Sequence, residues 1–127
     1  MTNHVHLLMT TQQDHAISDL MQYLGRLTAR RFNYICARCG SLFEDRFKSG
    51  LVQENESLLS CLRYIELNLV KTGMVTDPGY YRWSSYSVHG FGKNIPMWTP
   101  RPLYLSFGRD LHARREKYRQ LISQRLK

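Results

Sequence analysis

A chain of 127 residues with 43% hydrophobic content is large enough for one core and too small for two ordinary domains. No run approaches the ~18 consecutive apolar residues that cross a bilayer, and the N-terminus opens on a strand pattern instead of a charged-then-apolar leader, which predicts a soluble, cytoplasmic protein. The 18 Lys and Arg against 10 Asp and Glu give a net charge of +8, a field that attracts polyanions, with nucleic acid the commonest partner.

The first element is Asn3-His4-Val5-His6-Leu7-Leu8-Met9, whose apolar and β-branched flanks predict a strand. Strand side chains alternate between faces, so His4 and His6 would point the same way. Two imidazoles aimed at one spot are half of a divalent-metal site, or else two polar residues on a solvated face. From Asp14 to about Ala37, apolar residues recur at Ile17, Leu20, Met21, Leu24 and Leu27 while Arg26, Arg30 and Arg31 lie toward the other side, the pattern of an amphipathic helix with a basic back. Cys36 and Cys39 have the spacing of half a zinc knuckle, yet no second pair follows, and with Cys61 the odd count suits reduced thiols.

Gly40 is a stop signal, and the stretch from Leu42 to Gln53 reads as a loop and then a strand carrying Arg46 and Lys48. Asn55 or Ser57 can cap a helix from about Glu56 to Lys71, closed by Gly73. Its apolar stripe, Leu58, Cys61, Leu62, Ile65 and Leu69, is expected to face a sheet. Tyr64 and Asn68 lie one turn apart on the flank of that stripe. There the Tyr64 hydroxyl can reach a ligand over the sheet and Asn68 offers a carbonyl oxygen to a hard cation; alternatively both are packing or solvated flank residues.

Asp77-Pro78-Gly79 is turn chemistry, and the following Tyr80-Tyr81-Arg82-Trp83-Ser84-Ser85-Tyr86 either stacks on unpaired nucleotides or packs a small satellite core. A Gly- and Pro-punctuated linker spans Gly90 to Pro102. The segment from Arg109 to Lys127 then carries Arg114, Arg115, Lys117, Arg119, Arg125 and Lys127 around Leu111, Tyr118, Leu121 and Ile122, a basic amphipathic helix for phosphates or simply solvated.

The strings Asn3-His4-Val5-His6, Tyr64-Ile65-Glu66-Leu67-Asn68, Gly73-Met74-Val75, Asp77-Pro78 and Trp83-Ser84-Ser85-Tyr86, with Phe43-Glu44-Asp45-Arg46-Phe47-Lys48-Ser49 between them, closely resemble the REP-associated tyrosine transposases of the single-tyrosine HUH superfamily. The resemblance implies an α+β fold, a ferredoxin-like antiparallel sheet with helices packed on it. Members usually carry a strand, a helix and a strand before the histidine strand, so it also implies an N-terminally truncated member, with a transposase-like domain over 1–90 and a linker and basic helix over 91–127. The implied chemistry is metal-dependent cleavage and strand transfer of single-stranded hairpin DNA. Mg²⁺ or Mn²⁺ would be held by His4, His6 and a third ligand, while Tyr64 attacks phosphorus to leave a 5′-phosphotyrosine. Related enzymes often place Gln four residues after the tyrosine; here that position is Asn68, with Glu66 a less suited substitute because it points off the flank. Phosphate contacts are expected from Arg46 and Lys48 and from Arg114, Arg115, Lys117 and Arg119. The rival readings are an inactive remnant that binds nucleic acid and a zinc-dependent binding protein using Cys36 and Cys39; oligomeric state stays open.

Overall fold

The computed structural model describes residues 3–124, and every regular element among them is helical. The helices are α1 (Ala16–Ile35), α2 (Asn55–Lys71), α3 (Tyr86–Phe91), α4 (Pro102–Leu105) and α5 (Leu111–Ser123), with a 3₁₀ turn at Pro78–Tyr80 before α3. The expected ferredoxin-like sheet is therefore corrected: the described residues contain no β-strand. Residues 3–9 and 46–53, both read as strand-forming, run without regular structure. A strand exists through its ladder, and β-propensity without a paired neighbour does not make one.

The chain divides into two compact units. Residues 8–51 form one, containing α1, in which no residue is buried. Residues 3–7 and 52–124 form the other, with α2 to α5. Within this second unit the ends of α2 follow its local chemistry. Gly73, at φ 71°, donates its N–H to the Val70 carbonyl at 3.0 Å while Met74 N–H reaches the Leu69 carbonyl at 3.0 Å, a Schellman closure that needs a left-handed residue and so uses glycine. At the start of α5, the Asp110 carboxylate accepts the Ala113 N–H at 2.8 Å, satisfying one of the helix's open donors. The expected tail helix is thus present over Leu111–Ser123, while Arg125 and Lys127 lie outside the described residues.

The buried face of α2 differs from the expected apolar stripe. Leu62 and Leu69 are buried, Leu58, Cys61 and Ile65 only partly, and between the two leucines sits Glu66, 0% exposed. Its carboxylate accepts the Ser84 hydroxyl at 2.7 Å, the Ser85 hydroxyl at 2.8 Å and the Tyr118 hydroxyl at 3.1 Å. A carboxylate taken out of water costs several kcal/mol, so it stays buried only where donors converge on it. Around it Tyr86, Tyr104, Tyr118 and Ile122 form the core, with Leu67, Trp98 and Phe107 packed against them. His89 stacks on Tyr118 at 4.7 Å between ring centroids, and its Nε2 accepts the Trp98 indole N–H at 3.0 Å. An indole only donates, so the proton of the His89 ring is on Nδ1, 3.6 Å from Glu66 Oε1. Tyr104 closes the cluster, donating to the His89 carbonyl at 2.9 Å.

Of the aromatic stretch 80–86, the structure separates the two readings: Tyr86 is a core residue, whereas Trp83 is exposed. No described helix is long and apolar enough to cross a membrane.

Removing the Tyr118 hydroxyl leaves Glu66 one donor short in a dry site. Tyr118→Phe is expected to lower the unfolding free energy by about 1.5–3 kcal/mol, read as a lower urea midpoint at constant slope; an unchanged midpoint would contradict the assignment. Burial raises the phenol of Tyr118 far above its ordinary value, with the Glu66 carboxylate adding to it, and burial likewise raises Tyr86 and Tyr104. The unfolded chain releases these protons near 10.0 while the native state keeps them, so the stability they carry is complete below that pH and declines as pH rises above it. Alkaline titration followed by circular dichroism should show unfolding coincident with late phenolate absorbance.

Candidate active site

The second unit gathers the histidine segment and α2. His4 and His6 lie two apart on an extended segment, with ring centroids 5.2 Å apart and planes edge-on at 84°. The His6 ring in turn meets the Tyr64 ring at 5.3 Å and 71°. His4, His6 and Tyr64 thus form a run of ring contacts, without the sheet that was expected to support them. Tyr64 is 47% exposed, so its hydroxyl is open to a ligand from solution. Asn68, one turn on along α2, is buried.

Hydrogen bonding leaves one nitrogen on each histidine and the Asn68 oxygen without a partner. The His4 Nδ1 lies 2.7 Å from the Asn3 side-chain oxygen; because that oxygen only accepts, Nδ1 carries the proton and the Nε2 lone pair remains. His6 Nε2 and Asn68 Oδ1 are both buried without any hydrogen-bond partner. An unpaired buried polar atom costs about 1–3 kcal/mol, and each of these two calls for an explanation. Two imidazole nitrogens and an amide oxygen form a donor set suited to a divalent ion of the Mn²⁺ type. Among the described residues no three His, Cys, Asp or Glu side chains converge on one point. Glu66, the substitute third ligand, is committed to Ser84, Ser85 and Tyr118 on the other face of α2.

The basic residues divide by engagement. Arg114 donates to the Gly108 carbonyl at 2.8 Å and the Arg109 carbonyl at 3.2 Å, and Arg119 to the Gly90 carbonyl at 2.8 Å. Arg115 is half-buried, its guanidinium packed where a Cβ on Gly92 would sit. These three are braces within the C-terminal bundle, whereas Lys117 is exposed. In the other unit Arg46 and Lys48 are exposed on irregular chain, with the Arg46 N–H bonded to the Asp45 carboxylate at 2.7 Å. The donors around Glu66 and its role as a hub were missed from sequence. The signal was available: Leu62, Glu66 and Leu69 follow the i, i+4, i+7 spacing of one helical face, and a glutamate inside an apolar stripe announces buried partners.

The sequence model of the family described as IS200-like transposases matches residues 1–68. The chain belongs to that family. The matched stretch runs from before the histidine pair to Asn68, so it contains His4, His6, Tyr64 and Asn68 together. No curated protein and no solved structure matches the chain. Membership in the IS200-like family assigns this protein a transposase role and, in general terms, DNA-cleaving chemistry.

If the Asn68 oxygen is held unpaired for a ligand, an apolar side chain of similar volume should relieve the metal-free protein. Asn68→Leu is expected to leave its stability unchanged or to raise it by about 1 kcal/mol in thermal melts with chelator. A clear loss would show that Asn68 is a structural polar residue.

Proposed function

We propose that this transposase cleaves single-stranded hairpin DNA by transesterification at Tyr64. The observation that carries this reading is the His6 ring set against Tyr64 at 5.3 Å, with His6 Nε2 buried and unpartnered and Asn68 Oδ1, one turn along α2 from Tyr64, likewise. The Tyr64 oxygen attacks phosphorus, a new P–O bond to the phenol forms, and the bond to the 3′ oxygen breaks. The phenolic proton is balanced by the proton on the released 3′-hydroxyl. The product is a 5′-phosphotyrosine link, which conserves the phosphodiester's bond energy for rejoining without a nucleotide cofactor. His4, His6 and Asn68 would hold Mg²⁺ or Mn²⁺, whose chemistry is to polarise the scissile phosphate and offset the charge that develops on it. The exposed hydroxyl of Tyr64 on a helix, braced from behind by Glu66, presents the nucleophile in a fixed direction, which is much of what phosphoryl transfer asks of a protein. Of the basic residues expected to contact phosphate, Arg46, Lys48 and Lys117 are exposed, with Arg114, Arg115 and Arg119 shaping the surface that carries Lys117.

Incubation with a labelled single-stranded hairpin and Mn²⁺ should yield a covalent protein–DNA adduct on a denaturing gel. The adduct is expected to vanish in Tyr64→Phe and with chelator, and to fall by more than about 100-fold in His6→Ala. Binding of the hairpin by folded protein with no adduct under any metal condition would replace this reading with that of a nucleic-acid-binding module.

A further inference from the structure

The loop that locks Glu66 also displays an aromatic side chain. Ser84 N–H donates to the Tyr81 carbonyl at 3.2 Å, closing a four-residue turn whose two corner positions are Arg82 and Trp83. At that corner the Trp83 ring is 73% exposed, and the Arg82 guanidinium carbon lies 4.2 Å from its centroid. A cation at that distance is well within the range of a cation–π contact. Arg82 covers one face of the indole and leaves the ring open to solvent on the other.

This corner is not free to move. The Ser84 hydroxyl that follows Trp83 is bonded to the buried Glu66 carboxylate and also accepts the Tyr86 N–H at 3.1 Å, while Pro78 on the preceding side is buried. A large, rigid, exposed indole backed by a guanidinium is thus anchored to the helix that carries Tyr64. Tryptophan is ordinarily mostly buried, and its exposure on a pinned turn calls for an occupant. A flat π-surface beside a fixed positive charge matches an unpaired nucleobase with its own phosphate, since every base has a π-face and each carries a negative link.

We propose that Arg82 and Trp83 form a stacking subsite for an unpaired nucleobase of the DNA substrate. Glu66 and Tyr64 are two residues apart on α2, roughly 200° around the helix, so the base held here is not that of the scissile nucleotide. The subsite is tolerant of base identity, because stacking reads a face and not an edge. It rests on the reading that this transposase handles single-stranded DNA.

The test compares the full chain with its Trp83→Ala and Trp83→Phe variants, titrated with a labelled unpaired oligothymidylate and with an abasic strand of the same length. Trp83 is exposed, so both variants should melt like the parent. On the base-bearing strand Trp83→Ala is expected to bind ~10- to 100-fold more weakly, with Trp83→Phe recovering most of the loss. On the abasic strand all three should bind alike. Equal affinity of Trp83→Ala and the parent for oligothymidylate, or an equal loss on both strands, would overturn the subsite. So would sedimentation showing a dimer that Trp83→Ala dissolves, which would assign the indole to a second copy of the chain. If the parent forms no covalent adduct yet shows the base-dependent loss, the cleavage reading fails and the subsite stands; adduct formation with no base-dependent loss gives the reverse.

Discussion

A carboxylate with no exposed surface has to be surrounded by donors or be expelled, and in this protein the donors come from two distant stretches of chain. Ser84 and Ser85 precede α3, and Tyr118 lies in α5, yet all three hydroxyls end on Glu66 of α2. The aromatic core is arranged around that requirement: His89 stacks over Tyr118, Trp98 holds His89, and Tyr104 closes back onto the His89 backbone. Polar geometry of this kind is directional in a way that leucine packing is not, so it specifies the rotation of α2 about its axis as well as its position. Arg63 adds a further tie, donating from α2 to the Gln124 carbonyl just past α5.

That rotational constraint gives α2 two faces with different duties. Leu62, Glu66 and Leu69 turn inward, while Tyr64 meets His6 on the side away from Glu66. The similarity to the IS200-like family ends at residue 68, within α2, whereas every donor to Glu66 lies beyond it. The portion of the chain outside the family match is thus the portion that fixes the direction in which Tyr64 points from α2. The basic character of α5 belongs partly to this task, because Arg114 and Arg119 close backbone carbonyls of neighbouring segments.

Local information was readable and non-local information was not. The span of α2 and its glycine stop were evident because propensity and a left-handed residue are properties of adjacent positions, although the cap expected at Asn55 or Ser57 falls at Glu54, which makes no side-chain capping bond. The sheet failed as an expectation because ladder pairing depends on partners elsewhere in the chain, and alternation at residues 3–9 says nothing about whether they are present. Tyr64 and Asn68 could be placed together from their spacing, and His4 with His6 from theirs, whereas the His6 contact with Tyr64 spans more than fifty residues and entered only through family resemblance. Glu66 was read as pointing off the flank of Tyr64, but its burial went unread because the apolar stripe was traced by hydrophobicity alone, and a buried acid is invisible to that measure. The arginines of α5 illustrate the same limit: composition counts their charge but does not show which are already engaged.

The contrast between the units has a thermodynamic consequence. α1 is a helix of 20 residues with no buried side chain, so its order rests on its own backbone hydrogen bonds and on weak flanking contacts, a regime of gradual helix–coil equilibrium. The unit built on Glu66 is held by a converging network that is lost all at once. Heating or denaturant therefore acts on one chain through two laws, fraying in the first and a cooperative transition in the second, so an unfolding free energy is defined for the Glu66 unit and not for the chain as a whole.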